Sequence, residues 1–124
     1  MDTAFPTSGT MRILILGGTG EASTLVRSLA GRADLSVTLS LAGRTAAPKP
    51  EPVPTRIGGF GGIEGLADYL KADAIDCLID ATHPFAATMS HHAAYAAALT
   101  AVPLLGIRRP AWTREPGDLW IEVD

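Results

Sequence analysis

A single cysteine, Cys77, leaves the chain without the means to form an internal disulfide. It lies in an aliphatic stretch, which predicts a buried thiol that packs as a small hydrophobe in a reducing, cytoplasmic setting. An excess of one charge is also missing. Ten Lys and Arg against thirteen Asp and Glu give a formal charge of -3. Neither a cationic field for nucleic acid nor a polybasic run for a membrane surface is present, so charge points to a small-molecule role. No window reaches the roughly 20 apolar residues of a membrane span, the longest runs being strand-sized. Residues 1–10 lack a basic segment followed by an apolar core, so they do not read as a signal peptide. They read as a disordered leader, with Met11 as a natural start.

Several catalytic devices are absent too. Without a G-x-S-x-G elbow, a hydrolase triad has no anchor. Without a lysine-bearing G-x-x-x-x-G-K-[ST] loop, phosphate transfer is disfavoured. His91 and His92 are adjacent, so on a helix they point about 100 degrees apart and cannot both serve one metal well. No H-x-x-x-H or Cys/His spacing occurs elsewhere, so no metal site is expected.

What remains is a chain of 124 residues, 47% of them hydrophobic, of a size that suits one compact core. Residues 12–16 form a continuous apolar run, the mark of a strand covered on both faces. Residues 21–31 place Ala22, Leu25, Val26 and Leu29 on one helical face, with Gly31 suited to the C-terminus. A second strand is expected at 35–41. Pro48, Pro50, Pro52 and Pro54 then forbid helix or central strand, predicting an extended surface connection. A short third strand at 55–57 leads into a helix over 63–72, with Leu66, Ala67 and Leu70 inward. A fourth strand at 74–79 precedes a helix over 85–100, whose first turn would accommodate Pro84. A fifth strand follows at 102–107, then a loop at 112–117, and 119–123 begins another strand. The expected class is α/β, a doubly wound Rossmann-like parallel sheet of about five strands with helices on both faces. Residues 11–107 would form that domain, and 108–124 a linker and the start of a second half.

Glycines mark the places where chemistry is expected. Gly17, Gly18, Thr19 and Gly20 fall where the first strand must turn into its helix, a geometry that aims backbone amides at a phosphate. Gly18 to Ser23 matches G-x-G-x-x-G/A except that Ser23 takes the last position. A plain structural turn is the alternative. Glu21 would repel a pyrophosphate in direct contact, so it either caps the helix or faces ribose hydroxyls. At the end of the second strand no acid awaits a ribose. Gly43, Arg44 and Thr45 stand there instead, and a guanidinium favours NADP over NAD, unless Arg44 is merely solvated. A second cluster, Gly58-Gly59-Phe60-Gly61-Gly62, exceeds the needs of a turn and suggests close approach of a ligand or a mobile loop. Phe60 either covers that ligand or anchors the loop in the core. Asp80-Ala81-Thr82-His83-Pro84-Phe85-Ala86 lies at the carboxyl end of the fourth strand, on the rim where such sheets bind ligands. His83 there is either a proton or hydrogen-bond donor, or a helix cap.

Taken together, "LILGGTGEAS", "LAGRT", "RIGGFGGIEGLADYL", "LIDATHPFA" and "RRPAWTREPGDLW" resemble the precorrin-6A (cobalt-precorrin-6A) reductase family of cobalamin biosynthesis, from about Met11 to Asp124. GGFGG and D-A-T-H-P-F-A carry most of that resemblance. It implies NADPH as hydride source for one macrocycle double bond, with no metal or flavin. It further implies Gly17 to Gly20 on the pyrophosphate, and Gly43, Arg44 and Thr45 on the adenosine-side phosphate. Gly59, Phe60, Gly61 and Gly62, together with Thr82, His83 and Phe85, would lie near nicotinamide and tetrapyrrole, Thr82 and His83 as the catalytic candidates. Arg108, Arg109 and Arg114 would pair with substrate carboxylates. Family members carry a second α/β half that closes over the macrocycle, so that half is an expected partner. The competing readings are an NADPH-sensing regulator or atypical short-chain dehydrogenase-like domain, and an inactive truncation. A short-chain dehydrogenase would show Tyr-x-x-x-Lys, but Tyr95 is followed four residues on by Leu99.

Overall fold

The computed structural model of the chain describes residues 10–41, 50–82, 86–108 and 120–122, with Arg108 and 120–122 defined as backbone. Among the described residues there are six strands and three helices. They are β1 (Met11–Leu16), α1 (Gly20–Leu29), β2 (Leu35–Leu41), β3 (Thr55–Ile57), α2 (Gly62–Ala72), β4 (Cys77–Asp80), α3 (Ala87–Thr100), β5 (Leu104–Arg108) and β6 (Trp120–Glu122). One sheet contains every strand, in the order β3-β2-β1-β4-β5-β6. Each neighbouring pair is parallel.

Side-chain alternation along β1 explains why helices cover both faces. Ile13 and Ile15 join Ala22 and Val26 of α1 on one face, with Val37, Leu39 and Ile79. Leu14 and Leu16 point the other way, into a core shared with Leu66 and Leu70 of α2 and Ala93, Ala96 and Ala97 of α3. A strand sandwiched in this way needs no polar face, which is why its sequence runs apolar without alternation. Complete burial of leucines such as Leu66, Leu70 and Leu78 contributes about 2 kcal/mol each. The alanines of α3 keep it close to the sheet and to α2, because small side chains shorten the interaxial distance.

The floor of the sheet is clasped by Arg12. Its backbone N–H donates to the Asp76 carboxylate at 2.8 Å, and the Asp76 N–H donates to the Arg12 carbonyl at 2.7 Å. The guanidinium pairs with Asp73 at 3.0 Å and donates from Nε to the Asp73 carbonyl at 2.6 Å. These contacts pin the end of α2 beneath β1.

Differences from the sequence expectation have local causes. The sheet has six strands rather than about five, because Trp120–Glu122 pairs with β5. Those residues fall within the further strand expected at 119–123. The fourth strand begins at Cys77 instead of residue 74. Ala74 adopts φ 51 and the Ile75 N–H donates to the Leu70 carbonyl at 2.9 Å, so these two apolar residues close α2 instead of entering the sheet. α3 starts at Ala87, two residues later than expected, and Pro84 lies outside the described residues. Residues 50–54 hold neither helix nor strand, as their prolines require. Cys77 is half-buried, and burial pushes its thiol pKa up, with a smaller push from the Asp76 carboxylate. The expected leader and the loop at 112–117 lie outside the described residues. No helix among the described residues is long and apolar enough to cross a membrane.

Candidate functional site

The strand order reverses between β1 and β4, with α1 on one face of the sheet and α3 on the other. The carboxyl rim at this point is where open α/β sheets form their ligand crevice. Three turns converge on it, following β1, β3 and β4.

The turn after β1 begins with the Gly17 N–H donating to the Ser40 carbonyl at 2.8 Å, which prolongs the ladder by one residue. A Cβ on Gly17 would lie 2.6 Å from Leu39 Cδ1, so a larger residue there would require the Leu39 side chain to shift. Gly18 then takes φ 113, a left-handed conformation that favours glycine. Thr19 is the N-cap of α1. Its hydroxyl accepts from the Ala22 N–H at 3.1 Å and donates to the Ala81 carbonyl at 2.6 Å. One side chain therefore caps the helix and ties the first turn to the end of β4 across the crevice. Open space surrounds the positions where Gly18 and Gly20 would carry a Cβ. The Gly20 N–H, first in the helix, has no protein acceptor among the described residues. Together these features give the start of α1 an open, amide-lined geometry of the kind that suits an anion. Glu21 follows in the first turn, where a carboxylate complements the helix dipole.

Beside this turn is a cavity of about 460 Å³, lined by Gly18, Thr19, Gly20, Ser23, Arg27, Leu39, Leu41 and Glu51, among others. Ser23, the residue that departs from the glycine pattern, donates to Glu51 at 2.7 Å and fastens the 50–54 connection onto α1. Arg27 lies one helical turn farther along the same edge. Neither Arg27 nor Glu51 was singled out from sequence. The i, i+4 spacing of Ser23 and Arg27 was the available signal.

The turn after β3 is held from outside. Arg56 donates from Nη1 to Ser40 Oγ at 3.1 Å and to the Gly58 carbonyl at 3.0 Å, and from Nη2 to the Gly59 carbonyl at 3.2 Å. Its guanidinium lies 3.9 Å from the centroid of the Phe60 ring, and Phe60 meets Tyr69 edge-on at 5.2 Å. Phe60 thus anchors the loop. It also lines a second cavity of about 470 Å³ with Gly59, Gly61, Gly62, Ala86, Thr88, Met89 and His92. Within α2, Gly65 is obligatory: a Cβ there would come 1.7 Å from the Phe60 carbonyl oxygen. Arg56, Gly65 and Tyr69 were missed as parts of this loop, because their roles depend on contacts rather than on pattern.

At the end of β4, Asp80 is only 3% exposed. Its Oδ1 accepts from the Thr82 N–H at 3.1 Å and the Thr82 hydroxyl at 2.6 Å, and its Oδ2 accepts from the Ser90 hydroxyl at 2.5 Å. Thr82, expected at the site, is therefore on the rim and committed to Asp80. Asp80 and Ser90 were not singled out. His91 is exposed and packs on Tyr95, with ring centroids 4.5 Å apart, whereas His92 is half-buried beside the second cavity. Among the described residues no cluster of His, Cys, Asp and Glu has the make-up of a metal site. Gly43, Arg44, Thr45, His83, Phe85, Arg109 and Arg114 lie outside the described residues. Arg108 ends β5 opposite Glu122.

A parallel six-stranded sheet in this order, with a glycine turn capped by threonine at its switch point, defines a doubly wound domain of the Rossmann type. Comparison with known proteins narrows the class. A model described as precorrin-6x reductase CbiJ/CobK matches residues 12–124, and the chain belongs to that family. A precorrin-6A reductase of Sinorhizobium sp is 58% identical over 113 residues, a span of 91% of this chain and 43% of that protein. The precorrin-6A reductase of Rhodobacter capsulatus is 52% identical over 112 residues, covering 90% and 44% respectively. A solved structure titled CobK precorrin-6A reductase superposes with a TM-score of 0.76 at 51% identity, covering 92% of this chain and 45% of that one. The chain thus spans less than half the length of these relatives.

Proposed function

We propose that this chain holds NADPH for reduction of precorrin-6A, or its cobalt-containing counterpart, to the 6B form. The observation that carries the proposal is the turn after β1, where Thr19 braces a glycine cradle at the switch point and leaves open space above Gly18 and Gly20. Such a cradle fits a pyrophosphate, since the amide dipoles of the helix start favour negative charge. The bound cofactor supplies the hydride, and the protein sets distance and electrostatics.

Roles for the surrounding residues follow from the strand order. Gly18, Thr19 and Gly20 hold the pyrophosphate. The adenosine half extends toward β2 and β3, because the ribose is read at the end of β2 in this fold. Gly43, Arg44 and Thr45 then hold the adenosine-side phosphate, and Arg27, beside the same cradle, adds a second cation. Gly59 to Gly62 are assigned beside the nicotinamide and tetrapyrrole, a reading supported by the cavity they share with Ala86, Thr88, Met89 and His92 at the start of α3. Thr82, at the β4 rim, is assigned to the side of the reacting ring, and His83, the next residue in the sequence, to the proton-bearing role. Phe85, Arg108, Arg109 and Arg114 meet the macrocycle and its carboxylates, and the length of the relatives beyond the matched region supplies the half that closes over it.

Calorimetric titration tests the assignment. NADPH should bind at least about tenfold more tightly than NADH, and Arg44→Ala should remove most of that preference, as expected for one charged contact of about 1.4 kcal/mol. Equal affinities in the wild-type protein would overturn the Arg44 assignment.

A further inference from the structure

The first turns of α3 divide their side chains between the β4 rim, the outer surface and a cavity. Ser90 turns to the rim and donates to Asp80. His91 is exposed and packs on the Tyr95 ring. Thr88, Met89 and His92 line the cavity of about 470 Å³ that α3 shares with the glycine turn after β3. Spacings of three and four residues put them on one helical face. Much of the remaining wall is Phe60 and the backbone of Gly59, Gly61 and Gly62. Phe60 is held in place by the Arg56 guanidinium over its ring and by Tyr69 at its edge. Open space lies where Gly59 and Gly62 would carry a Cβ, so side chains there would take up room beside the wall. Thr88 and His92 are the polar side chains of this lining, and among the described residues neither has a hydrogen-bond or ion-pair partner. Unpartnered polar groups on a mostly apolar wall are the usual make-up of a small-molecule site. No Asp, Glu, Lys or Arg lines it among the described residues, whereas the cavity beside the first turn has Arg27 and Glu51. An imidazole carries at least one N–H in any tautomer or charge state, and a threonine hydroxyl carries one O–H. The wall therefore offers two donors whatever the protonation of His92. Residues four apart on a helix have Cβ atoms about 6 Å apart, a gap these side chains can close on one carboxylate.

We propose that this cavity takes one edge of the tetrapyrrole, and that Thr88 and His92 bind a carboxylate on that edge, with His92 a specificity-determining residue for the substrate. The inference rests on the reductase reading above. Phe60, Met89 and the glycine backbone supply apolar contact for a flat conjugated ring, and the two donors fix its periphery. The cofactor's phosphates do not compete for them. Those belong to the turn after β1, where α1 covers the opposite face of the sheet from α2 and α3.

Fluorescence titration with uroporphyrin, a planar tetrapyrrole with carboxylates around its rim, tests the site on the whole chain saturated with NADP⁺. His92→Ala should weaken uroporphyrin about tenfold, the loss expected for one hydrogen bond to a charged acceptor. Alanine is the best helix former, so α3 keeps its structure in that variant. His92→Gln keeps an N–H donor and should bind within about threefold of wild type. Thr88→Val should weaken uroporphyrin about fivefold and Thr88→Ser should restore it. His91→Ala, on the outer surface, should change nothing, and NADP⁺ affinity should be the same in every variant. In the NMR spectrum uroporphyrin should shift the ring resonances of His92 and leave those of His91 in place. Equal uroporphyrin affinity in wild type, His92→Ala and Thr88→Val would overturn the site, as would failure of the NADP⁺-loaded wild type to bind uroporphyrin. Either result leaves the cofactor reading intact. A parallel loss of NADP⁺ affinity in His92→Ala would give the cavity to the cofactor and overturn the carboxylate assignment. Failure of wild type to bind NADP⁺ would overturn the reductase reading, and titration of the unloaded chain would then decide the carboxylate site by the same comparison of variants.

Discussion

The two glycine turns of this molecule do the same mechanical job and are held by opposite means. After β1, the chain braces itself from within, through a Thr19 hydroxyl that caps α1 and reaches Ala81. After β3, the helix has no side-chain cap, and Gly61 opens it in a left-handed conformation. That loop is fixed from outside, by Arg56 on its carbonyls and by the Phe60 carbonyl resting on Gly65. Density of glycine therefore says little about what a turn does. The first has glycines that face open space beside a braced helix start. In the second, part of the glycine content only lets backbone pass over backbone.

The contrast is broken most severely at Gly65. Gly65→Ala should lower stability by about 3 kcal/mol or more, because the clash is with backbone and cannot be relieved by a rotamer. Chemical denaturation would measure it. Arg56→Ala comes next, at about 2 kcal/mol, since it removes three donors and a ring contact from a partly exposed guanidinium. Proton exchange at the amides of 58–62 should rise while that of Gly18 to Ala22 stays unchanged. Thr19→Val should cost about 1 kcal/mol, the usual loss for an N-cap, and should loosen the first turn alone. If Arg56→Ala loosened the first turn as much as the second, the two would not be independently held.

The smallest effect concerns Cys77, near the floor and far from both turns. Its thiol pKa is raised by burial, so the folded protein keeps the proton when the unfolded chain has lost it. That contribution to stability is whole below the ordinary thiol pKa and is lost as pH rises through the folded value. Alkylation at pH 8 should be slower in the native protein than after unfolding. Equal rates would show the thiol to be freely solvated.

Much of the scaffold was legible because its signals are periodic. β2 and β3 fall on the expected residues, and the inward faces of α1 and α2 follow from apolar spacing. The glycine turns and the rim position of Thr82 were legible because punctuation marks them. The start of β4 was not, since Ala74 and Ile75 look equally apolar in a strand or as a hydrophobic helix cap. The site's wiring was also hidden. Ser90 reaches Asp80 from ten residues away on another element, and Arg56 acts through carbonyls that sequence does not display. Asp80 was in plain view within D-A-T-H-P-F-A, yet its burial and its three donors belong to tertiary geometry alone.

The position of β1 in the sheet also has a temporal meaning. Of the strands described it is made before the others, and its neighbours are β2 and β4, with Arg12 meeting Asp76 across a separation of 64 residues. During synthesis, one flank of this largely apolar strand stays unpaired until the chain has emerged past Asp80. Contacts of such long range make folding slow and leave a sticky intermediate. A nascent chain halted before that residue should recruit chaperones, and one halted a few residues after it should need far less protection.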